Sequence, residues 1–280
     1  MSVEATTAPR LDRRLAALRA AGRKALVTFI TAGDPTPAVT VPALHALVRG
    51  GADVLELGVP FSDPEAEGPA IQASSERGLK QGMTLAGCLD MVRSFRAQDA
   101  ETPVVLMGYL NSVLAMGSER FAAAAGEAGV DGLIMVNLPP EEAAELRSAL
   151  DRHGIRLIFL VAPTTTEARA RMILSEASGF VYYVSLKGIT GADHLDVDAV
   201  GAKLEWLRGM TDLPVMVGFG IKDGASARAV ARHADGAVVG SALVTAMAAR
   251  ADAADGIPAV LEARASELRA ALDDISVERA

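Results

Sequence analysis

Eight short apolar runs, each followed by a helical pattern, limit what this chain can fold into. The runs are "ALVTFITAG" from Ala25, "DVLELGV" from Asp53, "TPVVLMGY" from Thr102 and "DGLIMVNLP" from Asp131, followed by "RLIFLVAP" from Arg156, "GFVYYVSL" from Gly179, "LPVMVGFG" from Leu213 and "DGAVVGSAL" from Asp235. Most are continuously apolar rather than alternating, as parallel strands covered on both faces are. Between them lie amphipathic patterns such as "TLAGCLDMVRSFRAQ" and "ERFAAAAGEAG", several ending in Gly. Eight such units in 280 residues predict a (β/α)8 barrel, with a doubly wound open sheet as the competing arrangement. No linker, low-complexity run or repeat interrupts them, so residues 1–280 are expected to form one domain, frayed at about 1–9 and 275–280. "LDRRLAALRAAGRK" before the first strand reads as an extra N-terminal helix, suited to plugging the barrel's N-terminal end.

Composition narrows the function classes. Half the residues are hydrophobic, and 27 basic against 35 acidic side chains give a net charge of −8. Nucleic acid and anionic membrane are therefore not expected as main partners. Cys88 is the single cysteine, which excludes an intramolecular disulfide and fits a reducing, cytoplasmic setting. It reads as a small core residue. The N-terminus lacks the apolar segment of a secretory signal, and no apolar run reaches the roughly 18 residues that span a bilayer.

In a barrel of this kind the chemistry sits at the C-terminal ends of the strands. There, "ELGVPFSDPEAEGP" carries four acids: Glu56, Asp63, Glu65 and Glu67. With period two, Val54, Glu56 and Gly58 share one face of the second strand, while Leu55, Leu57 and Val59 share the other. Packing the bulky face against helices turns Glu56 into the barrel. A desolvated carboxyl there holds its proton to higher pH and suits acid–base work. A structural Glu paired with a base is the alternative. Glu67, Asp63 and Glu65 lie in the following loop, where solvated carboxylates are the ordinary case, although its Gly and Pro residues make it stiff enough to aim a side chain.

Three later loops read as a phosphate cradle: "SLKGITGAD", "GFGIKDG" and "VVGSALVTA". Gly188, Gly191, Gly218, Gly220 and Gly240 allow close backbone approach, and Ser241 opens a helix with free N–H groups. Plain turns are the competing explanation for each. Phe29, Tyr109, Tyr182 and Phe219 lie at or near strand ends and suit either a flat apolar ligand or the core. His45, His153 and His233 fall at surface-like helical positions and His194 in a loop. With no HExxH, CxxC or GxGxxG, neither a metal nor a dinucleotide is indicated. Trp206 and Met210, four apart, read as helix packing.

The segment "LELGVPFSDPEAEGPAIQ" resembles the signature of the tryptophan synthase alpha chain family. So, in order, do "FITAGDP" at Phe29, "GYLNSVLAMG" at Gly108, "GVDGLIMVNLPPEE" at Gly129, "VSLKGITGA" at Val184, "VGFGI" at Val217 and "GSALV" at Gly240. The resemblance runs from about Leu11 to the final helix. It implies a carbon–carbon lyase, performing retro-aldol cleavage of indole-3-glycerol phosphate to indole and glyceraldehyde 3-phosphate. By the same resemblance, Glu56 is the acid–base residue and Glu67 stands for an acid, usually Asp, that steadies charge on the indole nitrogen. Thr190 orders the site and Tyr182 contacts substrate. Gly191, Gly220, Gly240 and Ser241 bind phosphate, while Phe29, Tyr109 and Phe219 form the indole pocket and its rim. Asp63 and Asn111 contact the partner, a beta chain in an alpha-beta-beta-alpha heterotetramer. No cofactor is implied in this chain; pyridoxal phosphate is expected in the beta chain.

Three positions depart from the family's pattern. Glu67 is one methylene longer than Asp, Glu65 replaces an apolar residue, and Asn137 stands where Asp is common. Two other readings share the fold. One is a stand-alone indole-releasing lyase. The other is a non-catalytic phosphate-binding barrel that regulates a beta chain.

Overall fold

The strands form one closed sheet. In the computed structural model, which describes residues 8–185, 197–218 and 220–277, they are β1 (Ala25–Thr31), β2 (Val54–Gly58), β3 (Val104–Gly108), β4 (Gly132–Met135), β5 (Arg156–Val161), β6 (Val181–Val184), β7 (Val215–Gly218) and β8 (Gly236–Val239). Each pairs in parallel with the next, and β8 pairs back onto β1. The register sets Phe29 of β1 beside Glu56 of β2, and Glu56 beside Val105 of β3. The predicted barrel is therefore the observed one.

Helices α1 (Arg10–Ala20), α2 (Pro37–Arg49), α3 (Pro69–Lys80), α4 (Leu85–Arg96), α5 (Leu110–Met116), α6 (Ser118–Ala128), α7 (Ala144–Asp151), α8 (Glu167–Glu176), α9 (Val197–Arg208), α10 (Gly224–Ala231), α11 (Ser241–Ala248) and α12 (Ile257–Val277) accompany the sheet. The bulky strand residues Leu26, Ile30, Leu55, Leu57 and Leu106 belong to the outer core, together with Leu44, Leu47 and Phe95 from the helices. Cys88 lies in this layer, fully buried, and burial pushes its thiol up to about 12, so it is the inert packing residue expected.

The barrel interior is a second core of Val27, Val54, Val105, Ile134, Ile158, Phe180, Met216 and Val238. Leu11, Leu15 and Leu18 join it from α1. Their spacing puts all three on one helix face, and burying each contributes roughly 1.5–3 kcal/mol. The extra helix thus plugs the barrel floor. Arg14 reaches Asp53 and Arg10 reaches Asp131, each at 2.6 Å.

Those two aspartates belong to a fourfold device. Just ahead of β2, β4, β6 and β8 stand Asp53, Asp131, Ser178 and Asp235. Each accepts the backbone N–H that opens the preceding odd strand, from Leu26, Val104, Leu157 and Val215, at 2.8–2.9 Å. These bonds pair backbone donors at the strand starts and fix the stagger of neighbours. The stagger, in turn, sets which residues reach the opposite end together.

One helix and two histidines differ from the sequence expectation. Helix α3 follows the acidic loop although no apolar periodicity announces it, because its buried face is Ser74, Ser75 and Gly78 rather than aliphatic. His233, expected at the surface, is half-buried, and so is His45, whose ring lies 4.6 Å from that of Phe95. Burial lowers the pKa of His45.

Candidate active site

Glu56 occupies the inward position that alternation assigned to it. Val54 packs in the interior core while Leu55 and Leu57 face the helices. The Glu56 side chain is 1% exposed, and its Oε2 has no hydrogen-bond partner among the described residues. Desolvation, then the neighbouring charge of Glu67, raises its pKa to about 8. No cation among the described residues contributes to that shift, which counts against the alternative of a salt-bridged structural Glu.

Glu67 hangs from the loop between β2 and α3. It is half-buried, and desolvation raises its pKa to about 7. Pro69 at the first position of α3 fixes where the loop ends. Upstream, the Ala66 N–H donates to Tyr109 Oη at 3.1 Å, and the Tyr109 ring stacks on Phe61 at 4.7 Å. Tyr109 directly follows β3, so the end of that strand holds the loop of its neighbour. Phe61 in turn donates its N–H to Ser75 Oγ of α3.

Two aromatic side chains enter the barrel mouth where glycines make room. A Cβ on Gly58 would fall 2.6 Å from Phe29 Cζ, and one on Gly240 3.3 Å from Phe29 Cβ. A Cβ on Gly218 would fall 2.6 Å from Tyr182 Cε1. Tyr182 is 8% exposed, and its phenol is raised well above its ordinary value by burial, then by the charges of Glu56 and Glu67. Phe29, Glu67 and Tyr109 line one cleft with Met107 and Ile71. Four expected site residues, Glu56, Glu67, Tyr109 and Tyr182, are thus coupled through a shared desolvated field at the C-terminal mouth.

Gly220, with φ +77°, follows β7, and Gly240 links β8 to Ser241 at the start of α11. The first N–H groups of such a helix have no intrahelical acceptor. Thr190, Gly191 and Phe219 lie outside the described residues, as do Gly188 and His194. Asp63 and Asn111 are exposed on the loop after β2 and on α5 after β3. Asn137 Nδ2 donates to Asn111 Oδ1 at 3.2 Å, while its Oδ1 accepts the Leu110 N–H at 2.8 Å. Glu65 is exposed. A separate cleft of about 270 Å³ lies at the N-terminal end, lined by Leu15, Arg19, Arg23, Met216 and Asp235. It is the seam where α1 docks, a barrel's length from the paired carboxyls.

A closed parallel barrel with two proton-holding carboxyls at its C-terminal mouth is the architecture of a (β/α)8 enzyme that works by acid–base chemistry. The sequence pattern that defines the tryptophan synthase alpha chain family matches residues 15–273. The tryptophan synthase alpha chain of Thioalkalivibrio sulfidiphilus is 57% identical over 264 residues, 94% of this chain and 99% of that one. That of Laribacter hongkongensis is 57% identical over 265 residues, again 94% and 99%. The crystal structure of tryptophan synthase subunit alpha from Legionella pneumophila superposes with a TM-score of 0.88 at 44% identity, covering 95% of this chain and 99% of that one. This chain belongs to the tryptophan synthase alpha chain family.

Proposed function

We propose that the paired carboxyls carry out the family's reaction, retro-aldol cleavage of indole-3-glycerol phosphate to indole and glyceraldehyde 3-phosphate. The observation that carries this reading is Glu56: buried, without a partner for Oε2 among the described residues, and holding its proton to about pH 8. Protonated Glu56 delivers its proton to indole C3, leaving positive charge on the ring nitrogen. The resulting carboxylate takes the proton of the glycerol hydroxyl on the carbon bonded to the ring. The carbon–carbon bond breaks, its electrons return to the indole, and glyceraldehyde 3-phosphate leaves as the aldehyde. Glu56 ends the cycle protonated as it began. Glu67, ionised, faces the charge that exists only during the reaction, which is where fixed charge accelerates most. Phe29 and Tyr109 flank the indole. Tyr182 contacts the substrate, Gly220, Gly240 and Ser241 hold the phosphate, and Thr190, Gly191 and Phe219 complete the pocket. The direct test is mass-spectrometric detection of indole from indole-3-glycerol phosphate with the purified chain. No indole, with or without a beta chain, would leave the non-catalytic reading.

The carboxyls also dictate a pH profile. Glu67 must lose its proton, so kcat/KM rises with pH through about 7; Glu56 must keep its own, so kcat/KM falls above about 8. A narrow bell centred between those limbs is expected. A flat profile from about pH 6 to 9 excludes the assignment of roles.

Asp63 and Asn111 are exposed beside the cleft, and the Asp63 loop is the one that carries Glu67. A beta chain, itself the pyridoxal phosphate enzyme, docks there in an alpha-beta-beta-alpha assembly. This chain needs no cofactor of its own, and the assembly works in the cytoplasm. Among the described residues no helix is long and apolar enough to cross a membrane. Docking at Asp63 steadies Glu67, so adding the beta chain raises wild-type turnover at saturating substrate, and Glu67→Ala loses most of that gain. Equal acceleration of both proteins by the beta chain removes Glu67 from the communication.

A further inference from the structure

Glu67 is held where its side chain is poorly solvated, and nothing covalent stops its loop from swinging it into water. Its neighbours Asp63 and Glu65 are exposed on the same loop. The rise of its pKa to about 7 reflects a pull toward solvent, because ionised Glu67 is better hydrated outside the cleft. Something must oppose that pull whenever the carboxylate is ionised.

The main chain around Glu67 shows what does. The Glu67 N–H donates to Pro64 O at 3.1 Å, closing a tight turn. The Glu67 carbonyl accepts from Gln72 Nε2 at 2.8 Å, and the same amide nitrogen lies 3.4 Å from Pro64 O. One side-chain amide therefore bridges both ends of the turn that presents Glu67. Gln72 sits in the first turn of α3, three residues after Pro69. Its own N–H donates to Gly68 O at 3.0 Å, so its backbone is fixed to the end of the same loop. α3 is itself anchored. Arg77 makes a two-pronged ion pair with the fully buried Asp34, at 2.6 and 2.8 Å, and Ser74 bonds Thr31 Oγ1 of β1 at 2.6 Å. The chain of contacts runs from the barrel wall through α3 and the Gln72 amide to the backbone of Glu67.

We propose that Gln72 is a positioning residue for Glu67. Its amide locks the Pro64–Glu67 turn, so that the carboxylate stays in the barrel mouth when it ionises. Gln72 touches no reacting atom in this scheme. The inference rests on the reading of Glu67 given above. A side chain placed about 1 Å off can lose on the order of 10²-fold in rate. We expect a loss of roughly tenfold or more in kcat for Gln72→Leu, because Tyr109 Oη still holds Ala66. KM should change little, since the indole and phosphate contacts remain.

The experiment is a double-mutant cycle on the purified chain, with indole release as the readout, using wild type, Gln72→Leu, Glu67→Ala and the double variant. Gln72→Met serves as a second removal of the amide should the leucine variant fold poorly. If Gln72 acts through Glu67, the double variant is no slower than Glu67→Ala alone. The acid limb of the pH profile in Gln72→Leu also moves down toward the ordinary carboxylate range, because a released Glu67 is better solvated. A merely structural role moves neither reading. If Glu67→Ala is slow but the Gln72 variants are not, or if the two losses multiply in the double variant, Gln72 does not position Glu67. If Glu67→Ala keeps full activity, the role of Glu67 itself is wrong and this inference falls with it.

Discussion

Glu56→Gln lowers indole release by roughly 10²–10⁴-fold while making the fold more resistant to alkali. The first effect follows from chemistry: the amide keeps the shape but has no transferable proton. The second follows from burial. The carboxyl titrates near its ordinary value of 4.5 in the unfolded chain and at about 8 in the folded one. Between those values the folded state binds the extra proton, so wild-type stability falls as pH rises through that window. The shift corresponds to a loss on the order of a few kcal/mol by the upper end. Gln72 and the rest of the mouth are unchanged in Glu56→Gln, and the glutamine does not titrate. Denaturation at about pH 5 and pH 9 therefore shows a smaller stability drop for the variant than for wild type. Lost activity with an unchanged pH dependence of stability would mean that Glu56 is not the buried proton holder. Near-normal turnover in the folded variant would remove it from catalysis.

Much of this was legible in the sequence because the barrel rests on strong local signals. Continuous apolar runs such as "ALVTFITAG" carry the signature of strands buried on both faces, and period two, with the bulky face packed on helices, turns Glu56 inward. The floor helix was legible in the segment "LDRRLAALRAAGRK" ahead of the first strand. Elements built from small or polar contacts were not. Helix α3 buries serines and a glycine against β1, so its core face carries no apolar period. The acidic loop therefore read as stiff through its Gly and Pro residues, whereas its position is fixed by hydrogen bonds that it donates to Tyr109 and Ser75 and accepts from Gln72. Those partners lie up to 43 residues apart in sequence, beyond any local pattern. The Asp and Ser residues ahead of the even strands carried a faint signal. Asp53, Asp131 and Asp235 each open an apolar run, but their meaning depends on a neighbouring strand that only the closed sheet supplies. His45 misled for a related reason. Its helical position looks solvent-facing until α4 brings Phe95 against it.

Desolvation is the leading cause of the raised values of Glu56 and Glu67, and at Glu56 the charge of Glu67 adds to it. The closed sheet removes water from the strand ends, and the glycines at Gly58, Gly218 and Gly240 let aromatic rings fill the space that water would take. Inserting a Cβ at these glycines displaces a ring before it touches a carboxyl. The same glycines thus shape the apolar pocket and keep its acids dry enough to hold protons near neutrality.

Ser241→Asp separates binding from stability at the other side of the mouth. An acid in the first turn of a helix is favourable to the fold by about 0.3–1 kcal/mol, through its interaction with the helix dipole. Because Ser241 is exposed and opens α11, the variant should melt at the wild-type temperature or slightly above it. The same carboxylate stands where Gly240 and Ser241 are proposed to receive the substrate's phosphate. Two like charges about 4 Å apart at an effective dielectric near 20 repel by about 4 kcal/mol. Affinity for glycerol 3-phosphate, measured by calorimetry, is therefore expected to fall on the order of 10²–10³-fold. Ser241→Ala removes one hydroxyl without adding charge and should cost only about tenfold. The opposite signs of the two effects make the outcome hard to imitate. A misfolded variant loses affinity and melting temperature together, whereas a carboxylate in the cradle loses affinity alone. If Ser241→Asp binds glycerol 3-phosphate as tightly as wild type, the phosphate does not sit at the start of α11, and the three glycine loops are turns rather than a cradle.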